Sequence, residues 1–388
     1  MEGFVFHNPT RIIFGKNTIL RIGREISLYG SRALFVYGKG SIKKNGVYDK
    51  VVESLRKNGV DFVEHGGVKP NPVLEHVNEG IKKFKDKKCD VILACGGGSV
   101  IDESKAIAAG VRYDGDVWDF FVRKAQIKDA VSVCVVLTIP ATGSEANGGC
   151  VITNEKTLQK YSAHSKYIFP KLSILDPLTT LSLPLEQTAY GCVDAMLHLL
   201  EGYFTTKDSD CVITDNYVYA VVKSIMSSTQ RIIINPLDYN ARASMMWSAT
   251  LALNGMEDCG YKGVEFVNHV IEHSLSAIYD IPHGLGLAIV FPAFLKFLYR
   301  RSKYDRIAEF GRQVLLIQQS NNQTAANIAI DRVESFFRTI LKLKTRLSEN
   351  SIYKKDFKKI IENACELGGL WGWSYSKDDV EEILELAL

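Results

Sequence analysis

The stretch "DVILACGGGSVIDESKAIAAG", Asp90 to Gly110, carries the change of pattern that decides the fold. An apolar run of strand length stops at Gly96, Gly97 and Gly98. From Ser99 the apolar residues recur at helical spacing instead. A strand that passes through glycines directly into a helix is half of a βαβ unit.

The neighbouring segments repeat the pattern. "RALFVYG" (Arg32–Gly38), "VDFVEHGG" and "AVSVCVVLTIPAT" read as strands, and "VYDKVVESLRKNG" and "PVLEHVNEGIKKFKDKK" read as helices. Alternation of this kind predicts an α/β domain with a mostly parallel sheet over residues 1–182. From Leu183 onward the apolar residues recur every three or four positions, as in "QTAYGCVDAMLHLLEGYF" and "ARASMMWSATLALNGM". No strand is expected after Asp176. An all-α domain over residues 183–388 follows, with "DPLTTLSLPLEQ" as the junction.

Bulk properties narrow the class. The 388 residues suit two domains, and 46% hydrophobic with 23% charged residues is ordinary globular composition. A net charge of +3 without basic–aromatic clusters argues against nucleic acid as a partner. The opening "MEGFVFHNPTRIIFG" does not read as a secretory leader, and no apolar run reaches membrane-spanning length. The eight cysteines are scattered without a CxxC pair. They read as buried free thiols in a reducing cytoplasm.

Three loops compete for a nucleotide. Gly96, Gly97, Gly98 and Ser99 lie between strand and helix, where backbone N–H groups and the helix dipole receive a pyrophosphate. Asp102 is read as a first-turn acid, suited to the dipole or to a ribose or nicotinamide. "YGKGSIKKNG" (Tyr37–Gly46) imitates GxGxxG but has Lys43 at the third glycine. Gly38, Ser41 and the lysines 39, 43 and 44 make this loop neutral at its start and basic beyond. That composition favours a 2′-phosphate, hence NADP(H) over NAD(H). "TIPATGSEAN" supplies Thr138 and Thr142 at a strand's end, within reach of phosphate or nicotinamide.

The helical half carries a different chemistry. "NHVIEHSLSAIYDIPHG" (Asn268–Gly284) holds three of the chain's eight histidines. His269 and His273 are four apart and share a helix face, and His283 follows at a Pro–Gly break. Asp194 and His198 form another i, i+4 pair, with the acid inside an apolar helix where it needs a partner. Imidazole and carboxylate together suit ferrous iron or zinc. His7, His65, His76 and His164 read as ordinary core or surface residues.

With "FVFHNPTRIIFG", "YGKGSIKKNGVYD", "KPNP", "GGGSVIDESKAIA", "PATGSEAN", "DAMLHLLEGYF" and "HVIEHSLSAIYDIPHG" together, the chain resembles the iron-containing (group III) alcohol dehydrogenase family. The NADP(H)-dependent butanol dehydrogenase and aldehyde reductase branch is the nearest in pattern. The resemblance implies a dinucleotide-binding α/β domain followed by an all-α metal domain, the plan shared with dehydroquinate synthase. It implies that Asp194, His198, His269 and His283 hold one divalent ion and that His273 faces substrate and nicotinamide, with a possible part in proton transfer. It further implies cofactor contacts from the triglycine with Ser99, from Thr138 and Thr142, from Asn71 and from Lys160, with Lys156 as a rival. NAD-preferring relatives carry aspartate where Gly38 stands. The implied activity is hydride transfer between NADP(H) and a primary alcohol or aldehyde such as butanol or butyraldehyde, in a cytoplasmic homodimer. A dehydroquinate synthase-like lyase and a non-catalytic relative are the alternatives. The first would want a cationic phosphate pocket at the metal, and the second broken ligand motifs.

Overall fold

Val91–Gly97 forms a strand in which all seven residues are buried. A strand covered on both faces must sit mid-sheet between helices, which is why it reads as a continuous apolar run. In the computed structural model, which describes residues 1–207 and 210–388, this strand is β4 of a six-stranded sheet. The others are β1 (Arg11–Phe14), β2 (Arg32–Gly38), β3 (Asp61–Val68), β5 (Val133–Ile139) and β8 (Leu172–Leu175). Their order is β1-β8-β5-β4-β2-β3, and every pairing is parallel. β2 lies between β3 and β4, so the chain reverses its winding at the β2/β4 junction. Ligands of such sheets bind beyond the carboxyl ends at that reversal. Here those ends are Gly38 and Gly97.

Two features differ from the expectation. Gly149–Asn154 and Gln159–His164 (β6 and β7) pair as an antiparallel hairpin outside the main sheet. Short polar stretches such as "QKYSAH" have no strong β pattern, and the hairpin is fixed by packing on the helices below it. The second difference concerns thiols: Cys259 and Cys365 are only half-buried, while the other six are buried, and all eight are free.

After Leu175 the described residues contain helices and no strands. Leu185–Thr205, Val212–Ile234, Tyr239–Ala252, Val267–Tyr279 and His283–Arg300 pack into one bundle. The first and fourth are buried over most of their lengths, so polar side chains on them face protein on every side. No helix among the described residues is long and apolar enough to cross a membrane.

Candidate active site

The Leu185–Thr205 helix places Asp194 and His198 on one face, and the Val267–Tyr279 helix brings His269 opposite them. His283 begins the next helix directly after the break at Asp280–Pro282. Asp194 Oδ1 lies 3.5 Å from His198 Nε2, 3.7 Å from His269 Nε2 and 3.5 Å from His283 Nε2. Ligand atoms about 2.0–2.2 Å from a tetrahedral ion stand about 3.3–3.6 Å apart, so each imidazole Nε2 stands from Asp194 Oδ1 at about ligand spacing. Asp194, His198 and His269 bring ligand atoms within 4.8 Å of one another. Asp194 Oδ1 and His269 Nε2 are buried with no hydrogen-bond partner. Such orphaned atoms are costly unless a cation satisfies them. The donor set therefore fits a divalent ion.

Two carboxylates missed in the sequence complete the arrangement. His269 Nδ1 is hydrogen-bonded to Glu201, and His283 Nδ1 to Glu272. Glu201 also accepts from Asn268 Nδ2 at 2.7 Å, and Glu272 from the hydroxyl of Ser276. Carboxylates behind imidazoles fix the tautomer that leaves Nε2 free for a metal. The signal was present in the sequence: Asp194, His198 and Glu201 share one face of an apolar helix, and Glu272 stands between two histidines.

The electrostatics follow. Burial opposes ionisation of Asp194, but the imidazoles of His198 and His283 override it and hold the carboxyl well below its usual range. Burial drives His198 down to about 3. Burial likewise opposes charge on His269, yet Glu201 and Asp194 push it up to about 9. Metal uptake must displace that proton, so affinity rises with pH up to about 9. Glu201→Gln is expected to weaken metal binding by about 10–100-fold. Because the raising carboxylate is gone, proton competition then moves to lower pH. Chelator competition at several pH values measures both effects.

His273 is buried on the same helix, its ring centroid 5.6 Å from that of His283 and 6.0 Å from that of Trp371. Burial, with Lys160 and His283 nearby, keeps it neutral, and its Nδ1 has no partner. Lys160, on β7, is buried with Nζ 3.3 Å from Glu272 and 3.4 Å from His283 Nδ1, whereas Lys156 is exposed at the hairpin turn. A further group, His65, His76 and Glu103, also brings ligand atoms within 4.8 Å of one another, but hydrogen bonds among its own members occupy it. His76 Nδ1 is 2.7 Å from Glu103, a hydrogen bond, and the two rings stack at 4.1 Å.

The cofactor candidates gather at the carboxyl ends of β2, β4 and β5. The Gly98–Val111 helix has no side-chain cap and no acid in its first turn, so its leading N–H groups are free for an anion. Asp102 is correspondingly in the second turn, not the first. Its oxygens accept from Ser144 Oγ at 2.6 Å and Val151 N at 3.0 Å. Ser99 Oγ donates to Pro70 O, and Asn71 Nδ2 donates to Asp280 at 2.9 Å, joining the two halves near His283. Thr138 is buried near the end of β5, and Thr142 Oγ1 accepts from Ser144 N at 3.1 Å. Gly38 ends β2 and Ser41 opens a four-residue helix beside it. One lysine of that loop is already taken. Lys43 pairs with Glu64 at 2.9 Å and lies over the Tyr37 and Tyr48 rings.

Residues 9–177 match the family described as iron-containing alcohol dehydrogenase, and residues 188–388 its C-terminal domain. The chain belongs to the iron-containing alcohol dehydrogenase family. It is 39% identical to NADH-dependent butanol dehydrogenase B of Clostridium acetobutylicum, over 95% of this chain and 94% of that one. Identity to the NADPH-dependent aldehyde reductase YqhD of Escherichia coli is 34%, over 95% and 94%. The crystal structure of NADH-dependent butanol dehydrogenase A from Thermotoga maritima superposes with a TM-score of 0.94 at 45% identity, covering 100% of this chain and 99% of the other.

Proposed function

We propose that the chain is a metal-dependent alcohol dehydrogenase and aldehyde reductase that moves hydride between NADP(H) and primary alcohols or aldehydes of butanol type. The convergence of three imidazole Nε2 atoms on Asp194 Oδ1 carries this reading. Asp194, His198, His269 and His283 would hold the ion, and a divalent ion there supplies Lewis-acid polarisation of a carbonyl oxygen. Around it the chain's own groups set the chemistry. Glu201 and Glu272 orient two of the imidazoles. Phe266, Val270 and Trp371 wall one side of a cavity of about 410 Å³ beside His269 and His273 and offer an apolar surface to a substrate's carbon chain. Neutral His273, with Nδ1 unpartnered, can pass a proton to or from the substrate oxygen.

Gly96–Ser99 would hold the cofactor's pyrophosphate, beyond the ends of β2, β4 and β5. Gly38 would face its adenosine end, and an added Cβ there meets nothing nearer than Val68 O at 3.7 Å. At Gly40 it meets nothing within 4 Å. That room, with no acid ending β2 and Lys39 exposed, supports NADP(H), although the butanol dehydrogenases named above are NADH-dependent. Gly38→Asp is expected to shift the NADPH/NADH ratio of kcat/KM toward NADH by at least about tenfold, through repulsion of the 2′-phosphate. Butyraldehyde reduction after chelation, restored with Fe²⁺ or Zn²⁺ and compared between NADPH and NADH, tests the whole reading. No turnover with either cofactor, in folded and metal-loaded protein, overturns it.

A further inference from the structure

The cavity beside His269 and His273 has two unlike ends. Phe266, Val270 and Trp371 line the part nearest the histidines, while Arg123 and Lys207 line the rim. Neither cation has a side-chain hydrogen bond or ion pair among the described residues. Their surroundings contrast with this. Lys124, next to Arg123, already faces Asp119 at 4.0 Å. Glu265, the acid of the lining, accepts from Ser374 N at 3.0 Å and Ser374 Oγ at 2.9 Å.

Arg123 stands on unusual backbone, and Lys207 lies against a glycine in the left-handed region. Arg123 adopts a left-handed conformation with φ 59°, rare for a side-chain-bearing residue and costly unless the surroundings hold it there. Lys207 lays its stem across Gly263, where an added Cβ would come within 3.1 Å of Lys207 Cδ and where φ is +64°. Size points the same way. Butyraldehyde, with five non-hydrogen atoms at roughly 30 Å³ each, fills less than half of the cavity of about 410 Å³.

We infer that the preferred substrate is an aldehyde, or the corresponding alcohol, that carries an anionic group at the far end of its carbon chain, recognised by Arg123 and Lys207. The inference rests on the oxidoreductase reading above and names its substrate class. In the reduction, hydride from the dihydronicotinamide forms the new C–H bond at the carbonyl carbon, and the C=O π pair takes up one proton as O–H. The products are the hydroxy acid anion and oxidised NAD(P). The distal carboxylate is unchanged and serves only for binding.

The test compares 4-oxobutanoate with butyraldehyde, which share a four-carbon chain and differ at the terminus, and follows tryptophan fluorescence as succinate is added. Trp371 and Trp373 line the cavity, so succinate binding quenches without turnover. The wild-type chain is expected to favour 4-oxobutanoate in kcat/KM by about tenfold at low salt, with the preference shrinking by about 0.3 M salt because both cations are exposed. Arg123→Gln with Lys207→Gln removes the preference, leaves butyraldehyde kinetics unchanged and weakens succinate quenching by about tenfold. An unchanged preference in the double variant, or no succinate quenching in the wild type, overturns the inference. Failure of the oxidoreductase reading is distinct: butyraldehyde is then not reduced, whatever succinate does.

Discussion

Asp194→Asn is expected to remove the metal and, with it, more than about 100-fold of the aldehyde reductase activity, beyond the 10–100-fold that outer carboxylates carry. Asparagine keeps the shape, so steric change is not the cause. The aspartate is the one anion among four candidate ligands, and it offers its Oδ1 to all three imidazoles at 3.5–3.7 Å. Its carboxyl is held well below its normal range by His198 and His283 despite burial, so it is charged at any working pH. Without it, three imidazoles face one another in a buried space, and a divalent cation meets no compensating charge. Metal content after purification and melting temperature with added metal give readouts free of turnover. In the wild type, metal at 100 times its dissociation constant stabilises the fold by about 2.7 kcal/mol, and in the variant that increment disappears. A variant that retains full metal content and activity would show that Asp194 is not a ligand.

What could be read from the sequence depended on whether a residue's environment is set locally. β4 was legible because burial on both faces leaves an uninterrupted apolar run, and the triglycine marks where it meets its helix. The i, i+4 pairs were legible because a helix alone brings Asp194 and His198, or His269 and His273, onto one face. Which histidine turns toward Asp194 is a tertiary matter. His283 reaches it because the chain breaks at Asp280, in left-handed conformation, and restarts as a helix. The basic loop after β2 shows the limit of counting charge. Lys43 belongs to a cluster with Glu64, Tyr37 and Tyr48 that only the pairing of β2 with β3 assembles. Lys105 was overlooked altogether. It is fully buried, donates to Ser144 Oγ and to the carbonyls of Asn147 and Gly149, and is pushed down to about 8 by burial. Trp371 comes from the Phe357–Trp371 helix, nearly 100 residues beyond the histidines, and no local pattern connects the two.

Gly98→Ala is expected to weaken NAD(P)H binding by at least about tenfold, or about 1.4 kcal/mol, through the loop that carries Thr142. Gly98 has helical backbone, so the methyl meets no conformational penalty of its own. The obstacle is contact: the added Cβ would lie 2.4 Å from Thr142 Cγ2 and 2.5 Å from its Oγ1. Thr142 cannot simply retreat. Its Oγ1 accepts the N–H of Ser144, and Lys105 pins Ser144 and Asn147 from beneath. On the far side Pro140 O packs on Gly191, where even a Cβ would come within 2.5 Å. Gly191 belongs to the helix that carries Asp194, so displacement of this loop presses toward the candidate metal ligands as well. Overpacking of this kind costs about 1–3 kcal/mol, and the melting temperature should fall accordingly. The double variant Gly98→Ala with Thr142→Ala removes the two shortest contacts and leaves only Cβ at 3.0 Å. If contact is the cause, the double variant binds the reduced cofactor more tightly than Gly98→Ala alone, a coupling that nicotinamide fluorescence titration of all four proteins resolves. If Gly98→Ala binds as tightly as the wild type, the triglycine helix and the threonine loop do not form one cofactor cradle.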